Sequence, residues 1–481
     1  MREISDRTVI IGLTILALVL RAWGADSDLW LDEIITLVSD MRAPLIDVIT
    51  HYRSANQHVL NSVLGNISVY LLGESAWTVR LPAMLFGIAT IPAFFVLARN
   101  VTTRREAFFA CIFLAISYHH IWFSQNARGY SAMIFFTVVS THLLLRRLQG
   151  RQLSRALDWI SFALISALGM LSLLNYTFVL VGQFLAAAMV CASARRWRAI
   201  SGLLVPAMMV VALTLLVYSM MLTEMVTYYA AGGEEMGWRD PWQFAVAFVS
   251  GLTGSLSTMA VLAVLIGAAI AITGGLSYLR DQALIPLLPI VAITANLGAL
   301  TVLNFGAYPR SFLYLLPFAL LIIMRGAFLI GGLPRHIFAT RRYPIRLEYV
   351  IPALVLAGAI AMLPHLYRYP KQDYSGALAY ARLQARPGDT IAAVGYLASG
   401  YRTYYAPGLA FPADAAGLDA LRSSDKQVWV LYSFTRDMRR HFADINDYID
   451  EEFRVYRVFP GTLGDGDIYL VNAQGEKGPA P

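Results

Sequence analysis

Long apolar stretches recur along this 481-residue chain and limit its fold more than any other feature. A helix needs about 20 consecutive apolar residues, within a range of about 17–25, to cross the hydrocarbon core of a bilayer. The composition agrees, because only 14% of the residues are charged, whereas soluble domains carry about 25%. The sequence predicts an α-helical polytopic membrane protein with about eleven spans. These are residues 8–23, 77–98, 107–121, 129–145, 159–174, 177–194, 201–222, 258–276, 283–303, 312–330 and 349–363.

Arginines between the predicted spans determine their orientation. They cluster in alternate loops, after the second, fourth, sixth, eighth and tenth spans. Because Lys-rich and Arg-rich loops stay on the cytoplasmic side, we expect the N-terminus inside and the C-terminus outside. The net charge of +7 comes mainly from these arginines and so indicates orientation, not nucleic-acid binding. We expect a multi-pass protein of a bacterial inner membrane whose functional side faces the periplasm.

The loop after the first span, residues 25–76, is long for a connection, and long ordered loops are often functional. It contains amphipathic patterns at 32–40 and 44–53 and an apolar stretch, Val59–Leu72. Counting that stretch as a span would invert the arginine pattern that follows it. We therefore predict an interfacial helix on the outer side.

Residues 369–481 differ in character from the transmembrane region, 1–368. Helical patterns alternate there with β-rich runs, which predicts a small periplasmic α/β domain. No Gly-rich phosphate loop follows any of these runs, so nucleotide binding is not expected. The helical patterns are 374–384, 413–422 and 436–452, and the β-rich runs are 390–396, 427–434, 453–459 and 467–472.

Two polar groups in the first external loop are candidates for chemistry. Asp32 and Glu33 stand together at a predicted helix start. They either complement the helix dipole and cap its amides or supply a catalytic carboxylate. Asn56, Gln57 and His58 open the apolar stretch that follows, either as ordinary interfacial residues or as a binding site.

Arg128 and Arg310 stand at predicted outer ends of spans, beside Tyr130 and Tyr308. The positive-inside rule gives no reason for arginines there. They either anchor the chain to headgroup phosphates or hold the phosphate of a bound lipid substrate, which suits guanidinium geometry.

Four motifs in the first 148 residues together resemble the GT-C membrane glycosyltransferases. The nearest branch includes the protein O-mannosyltransferases, the lipid A aminoarabinose transferase and the Rgt-like enzymes. In chain order the motifs are Asp32-Glu33, the region around His58, Arg80-Leu81-Pro82-Ala83 and Arg128-Gly129-Tyr130.

The resemblance implies an inverting transferase that moves a sugar from a polyprenyl-phosphate donor to a periplasmic acceptor, which is a lipid, a glycan or a protein. Asp32 would be the base that activates the acceptor hydroxyl. Glu33 would adjust the pKa of Asp32 or contact the acceptor.

Charge on the leaving phosphate would be stabilised by preorganised cations. The resemblance assigns this role to Arg128 and Arg310, together with Tyr130 and Tyr308. It assigns binding of the acceptor or the sugar to a second set, which is Asn56, Gln57 and His58.

No cofactor is required by this chemistry. Oligosaccharyltransferase relatives carry an Asp-x-Asp metal motif in the second external loop, where this chain has Asn126-Ala127-Arg128-Gly129-Tyr130. A divalent metal is therefore possible but not indicated.

A transporter or lipid flippase is the alternative hypothesis. Coupled transporters keep ionisable residues near the bilayer midplane, and charges are nearly absent from the centres of these spans. Inverted repeats, another feature of transporters, are not evident.

Overall fold

The computed structural model describes residues 5–150, 154–231, 242–243, 246, 249–250, 258–302, 308–338, 347–422 and 427–473. The last residue of the ninth predicted span and part of the predicted domain 369–481 lie outside this set. The helices in the first half are α1 (Asp6–Ala22), α2 (Leu31–Thr36), α3 (Leu45–Thr50), α4 (Val59–Leu72), α5 (Ala76–Val101), α6 (Arg104–Ile116), α7 (Tyr118–Ser124), α8 (Tyr130–Leu148), α9 (Arg155–Ser172), α10 (Tyr176–Ser193), α11 (Trp197–Ser201), α12 (Leu204–Tyr218) and α13 (Leu222–Ala230). They are followed by α14 (Thr258–Asp281), α15 (Leu284–Val302), a 3₁₀ helix (Pro309–Leu315), α16 (Leu316–Phe338) and α17 (Val350–Arg368).

Within the described residues each predicted span lies mainly on helix, and the spans 107–121 and 201–222 each include a break between consecutive helices. Among the described residues, eight helices are long and apolar enough to cross a membrane, and the number is nine if the pair α6 and α7, bent by 53°, counts as one span. The first and fifth predicted spans correspond to helices of 17 and 18 residues, at the short end of the length that crosses a bilayer. The predicted fold class is confirmed, with a span count that remains approximate.

Several of these helices expose apolar side chains instead of burying them. Only 17% of the apolar stretch within Trp197–Tyr218 is buried inside the protein, and only 11% of the apolar stretch within α17. Leu204, Met208, Leu215 and Leu216 are all more than half exposed. Apolar faces this large are unfavourable in water, so lipid is the expected solvent around these helices.

α4 has the bounds that its apolar pattern predicts. Its 14 residues extend about 21 Å at 1.5 Å per residue, which is less than the roughly 30 Å of a hydrocarbon core. The length fits an interfacial helix, and its placement at the membrane surface stays a prediction.

The region after α17 forms the predicted α/β fold. Its four-stranded sheet has the order β1-β2-β4-β3. β1 and β2 are parallel, and β4 pairs antiparallel with both β2 and β3. The elements are α18 (Tyr374–Gln384), β1 (Thr390–Ala393), α19 (Gly395–Gly400), α20 (Ala415–Leu421), β2 (Val428–Tyr432), α21 (Thr435–His441), α22 (Ala443–Glu452), β3 (Arg454–Phe459) and β4 (Ile468–Asn472).

The contacts divide the chain into two compact units. The first unit comprises Met1–Ala22, Val48–Leu64 and Leu81–Ala361, and the second comprises Trp23–Asp47, Gly65–Arg80 and Met362–Pro481. The second unit thus joins two stretches from the beginning of the chain to the C-terminal α/β region. The predicted boundary at residue 369 divides the chain into two continuous segments, whereas both compact units are discontinuous. That boundary stays a prediction.

Candidate active site

The acidic turn of the second unit, Asp28–Glu33, includes the first three residues of α2. Glu33 and Arg80 are both fully buried. Arg80 donates from Nε to Oε1 of Glu33 over 2.8 Å and from Nη2 to Oε2 over 2.6 Å. Two parallel charge-assisted bonds make this the strong, planar form of the Arg–carboxylate pair.

Arg80 also organises the chain that precedes α2. Its Nη1 donates to the carbonyl oxygens of Ala25 and Ser27 over 2.9 and 2.8 Å, and its Nη2 donates to that of Asp28 over 2.8 Å. Glu33 in turn accepts from the backbone N–H of Trp30 over 3.3 Å, as the capping interpretation of this acid expects. Glu33 therefore serves in the structure as a buried anchor for the turn.

Asp32 differs from its neighbour because it is only partly buried. Its charge acts on Tyr374, since burial first and then the charge of Asp32 raise the pKa of Tyr374. Of the two predicted catalytic acids, Asp32 is thus the less buried one.

Residues just after α17 hold the acidic turn from a second direction. The N–H of Leu31 donates to Oε1 of Gln372 over 3.1 Å. Asp28 accepts from the backbone and side chain of Ser375 over 2.7 and 3.0 Å. The sequence analysis missed these contacts because nothing in the local pattern links segments more than 340 residues apart.

In the first unit, the short connection between α7 and α8 meets the start of α4. His58 and Arg128 are both nearly fully buried. Arg128 donates from Nη1 to Oδ1 of Asn56, and its Nη2 lies 3.2 Å from Nε2 of His58. The N–H of Gly129 donates to Nδ1 of His58 over 2.7 Å. The structure thus brings together three of the predicted site residues.

The hydrogen bond from Gly129 determines the tautomer of His58. A backbone amide only donates, so Nδ1 is unprotonated and the neutral ring carries its proton on Nε2. Guanidinium nitrogens also only donate, so two donors, Nε2–H of His58 and Nη2–H of Arg128, face one another. Two donors that face one another form a position suited to an anionic acceptor such as a phosphate oxygen.

Arg310 contributes to the same electrostatic environment. Burial, followed by the positive charges of Arg128 and Arg310, lowers the pKa of His58 well below its ordinary value. The imidazole is therefore neutral at physiological pH. The Arg310 guanidinium stacks 4.2 Å from the ring centroid of Tyr308, a cation–π contact that orients it. Both predicted arginines thus act on one histidine.

Tyr130 supports the cluster from the first turn of α8. Its ring packs edge-on to His58, with centroids 5.5 Å apart, and Cζ of Arg128 lies 5.8 Å from its centroid. Gly129 makes this approach possible, because a Cβ there would meet the carbonyl oxygen of Ser172 at 1.8 Å. A larger residue at 129 would move the loop.

Two further polar residues of this region have different surroundings. The side chain of Gln57, predicted to bind acceptor or sugar, donates to the carbonyl oxygens of Val48 and His51 and accepts from the N–H of Arg53. It therefore shapes the loop. Asn61, one turn after His58, is buried, and its Nδ2 has no hydrogen-bond partner among the described residues. Residues three apart share a helix face, so Asn61 is a candidate that the sequence analysis did not select.

A divalent metal needs several ligating side chains close together. Within the described part of the chain, no three His, Cys, Asp or Glu side chains converge as a metal site would need.

Comparison with known proteins bears on the fold and the family. A family model described as dolichyl-phosphate-mannose-protein mannosyltransferase matches residues 60–223. No curated protein matches the sequence.

The chain is similar in structure to ArnT from Cupriavidus metallidurans in the apo state, with a TM-score of 0.53 and 13% identity over 98% of this chain and 99% of that one. The same protein bound to undecaprenyl phosphate gives a TM-score of 0.52 and 12% identity, over 99% and 100% of the two chains.

The oligosaccharyltransferase of Archaeoglobus fulgidus, in complex with Zn and sulfate, gives a TM-score of 0.51 and 12% identity, over 95% of this chain and 72% of that chain. At these identities the likeness shows the fold. The family-model match and the shared fold together confirm the resemblance to the GT-C membrane glycosyltransferases that the sequence motifs indicated.

Proposed function

We propose that the protein is an inverting glycosyltransferase that moves a sugar from a polyprenyl-phosphate donor to an acceptor on the outer side of the membrane. One observation supports the proposal most strongly: two hydrogen-bond donors, His58 Nε2–H and Arg128 Nη2–H, face each other. The positive charge of Arg310 also acts on His58. This arrangement is suited to an anion. Undecaprenyl phosphate, which is bound in the ArnT structure, has the matching chemistry.

The reaction proceeds as a single displacement. The acceptor oxygen attacks the anomeric carbon, and the bond from that carbon to the phosphate oxygen breaks. Asp32 accepts the proton of the acceptor hydroxyl as general base. The lipid phosphate leaves as an anion and needs no proton, because Arg128 and Arg310 stabilise its charge. One displacement inverts the configuration of the anomeric carbon.

Glu33 takes a positioning role in this proposal. Its carboxylate is committed to Arg80 by two short hydrogen bonds and is fully buried. A group held in this way keeps α2 and its neighbour Asp32 in place but does not reach an acceptor.

Purified protein in liposomes tests the proposal. Polyprenyl-phosphate sugars are offered with a panel of lipid, glycan and peptide acceptors, and the anomeric configuration of each product is determined. We expect one donor to be consumed with inversion, and Asp32→Asn to stop consumption. Movement of the lipid-linked sugar across the bilayer without transfer would favour the flippase hypothesis instead.

A further inference from the structure

Residues 51–58, here named the α3–α4 segment, connect the end of α3 to the start of α4 without helix or strand. Asn56 and His58 lie at the end of this segment, and both contact the guanidinium group of Arg128. No helical or sheet hydrogen-bond pattern fixes the backbone of the segment. The position of these two side chains therefore depends on the contacts that the segment makes through its other residues.

Gln57 ties the α3–α4 segment together from within. Its side-chain amide donates to the carbonyl oxygens of Val48 and His51 over 3.0 and 2.9 Å. Its Oε1 accepts from the N–H of Arg53 over 2.9 Å. Because one buried side chain binds the beginning of the segment, a displacement there is passed on to Gln57 and to the residues on either side of it.

Glu224 on α13 holds the beginning of the segment from outside. Its Oε2 accepts from the N–H of Tyr52 over 2.5 Å, and its Oε1 accepts from Nδ1–H of His51 over 2.9 Å. Tyr52 is buried, and its hydroxyl lies 3.0 Å from that of Tyr229, which is also on α13. This helix thus contacts both the backbone and the side chains of the first two residues of the segment.

The two hydrogen bonds of Glu224 differ in their expected contribution. The side chains of His51 and Glu224 are 56% and 43% exposed, and exposed ion pairs contribute little. The N–H of Tyr52 lies beyond Thr50, the last residue of α3, and a carboxylate gives this backbone donor a charge-assisted acceptor. The bond to Tyr52 is therefore the one that should hold the segment.

Resting on the function proposed above, we propose that Glu224 is a positioning residue of the phosphate site, which holds the α3–α4 segment and thereby keeps His58 against Arg128. Its carboxylate binds the segment and does not touch the phosphate. α13 follows the seventh predicted span, whose end we expect on the outer side of the membrane. The positioning residue and the site that it serves are therefore expected on the same side.

Equilibrium binding of undecaprenyl phosphate to the purified full chain tests this role. Glu224→Met removes the acceptor and should weaken binding about three- to tenfold, the scale expected for a partly screened charge-assisted bond that acts indirectly. Glu224→Gln keeps a carbonyl oxygen for the N–H of Tyr52 and should bind within about twofold of wild type.

Glu74→Met is the matched control. Glu74 forms an ion pair with Arg42, and its side chain is 33% exposed, so its loss removes a comparable acid that does not contact the α3–α4 segment. Binding of undecaprenyl phosphate to this variant should also stay within about twofold of wild type.

A double variant tests whether Glu224 acts through the site. If it serves to keep the segment against Arg128, Glu224→Met added to Arg128→Ala should weaken binding by less than about twofold further, because residues that act on one interaction are non-additive. A further loss as large as that of Glu224→Met alone would indicate an independent effect and overturn the role.

The outcomes separate this inference from the proposed function. Wild-type protein that does not bind undecaprenyl phosphate would overturn the proposed function and this role together. Binding by wild type and equally tight binding by Glu224→Met would overturn the role of Glu224 alone. Glu224→Gln or Glu74→Met as weak as Glu224→Met would do the same, because the loss would then follow from a missing negative charge and not from the bond to Tyr52.

Discussion

The acidic turn of the second unit is held by the buried Arg80, and the cationic cluster of the first unit (His58, Arg128 and Arg310) includes the buried Arg128. The two arginines have different partners. Arg80 has a carboxylate locked to it by two bonds and three carbonyl oxygens around it. Arg128 instead meets the amide of Asn56 and the protonated nitrogen of His58. The first arrangement is complete and serves as a scaffold. For the second we propose a different role, the binding of an anion.

The largest expected effect is a loss of turnover, without a loss of stability, when Asp32 is replaced. Asp32→Asn keeps the shape of the side chain and removes the base, so turnover should fall by about 10²–10⁴ while the thermal unfolding temperature changes little. Turnover in liposomes and thermal unfolding in detergent measure the two quantities. Near-normal turnover would move the role of base to another acid.

Replacement of Arg80 should mainly lower the free energy of unfolding. Arg80→Met leaves Glu33 charged and buried, and removing one partner of such a pair costs about 3–5 kcal/mol. Arg80→Met/Glu33→Leu removes both charges and should recover much of that loss, because an apolar replacement of a buried pair is often neutral. Chemical denaturation measures both variants. A double variant as unstable as the single one would contradict the assignment of Arg80 to the scaffold.

Substitutions in the cationic cluster should slow sugar transfer without unfolding the protein. Charge-assisted hydrogen bonds are worth about 1.5–3 kcal/mol each, so Arg128→Ala and Arg310→Ala should each slow transfer roughly ten- to a hundredfold. Because both would serve one phosphate, the double variant should be non-additive. Strict additivity of the two losses would indicate separate roles, and Arg310 would then be the weaker candidate.

The smallest effect concerns stability and pH in the second unit. The pKa of Lys371 in the folded protein is about 7, whereas an unfolded lysine titrates near 10.4. Between these values the unfolded chain binds one more proton, so this group makes the protein more stable as the pH rises, by up to about 1.4 kcal/mol per pH unit. Denaturation at pH 7 and 8 should show the gain in wild type and a smaller one in Lys371→Met. An equal gain in both would contradict the burial of a neutral lysine.

The sequence predicted what depends on local pattern. Apolar run length located the helices, including both ends of α4, and alternating patterns located the strands of the C-terminal sheet. The break between α6 and α7 was missed because 107–121 was interpreted as one apolar run, although the run contains Ser117, His119 and His120. Ser117 caps the second helix by accepting from the N–H of His120.

The local sequence pattern does not predict contacts between distant segments. Arg80 stood in a recognised motif, but its partner is 47 residues away, and no spacing rule links the two. No local pattern selected Lys371. His58 and Arg128 were selected as polar exceptions in apolar surroundings, whereas the saturated amide of Gln57 could be recognised only from its three backbone contacts.

Equilibrium binding of undecaprenyl phosphate to purified protein tests most directly whether the two regions have these separate roles. Wild type and Asp32→Asn should bind the lipid with the same affinity, while Arg128→Ala should bind it at least tenfold more weakly. Equal affinity in Arg128→Ala, or a loss of affinity in Asp32→Asn, would contradict the assignment of phosphate binding to the cationic cluster and of base catalysis to the acidic turn.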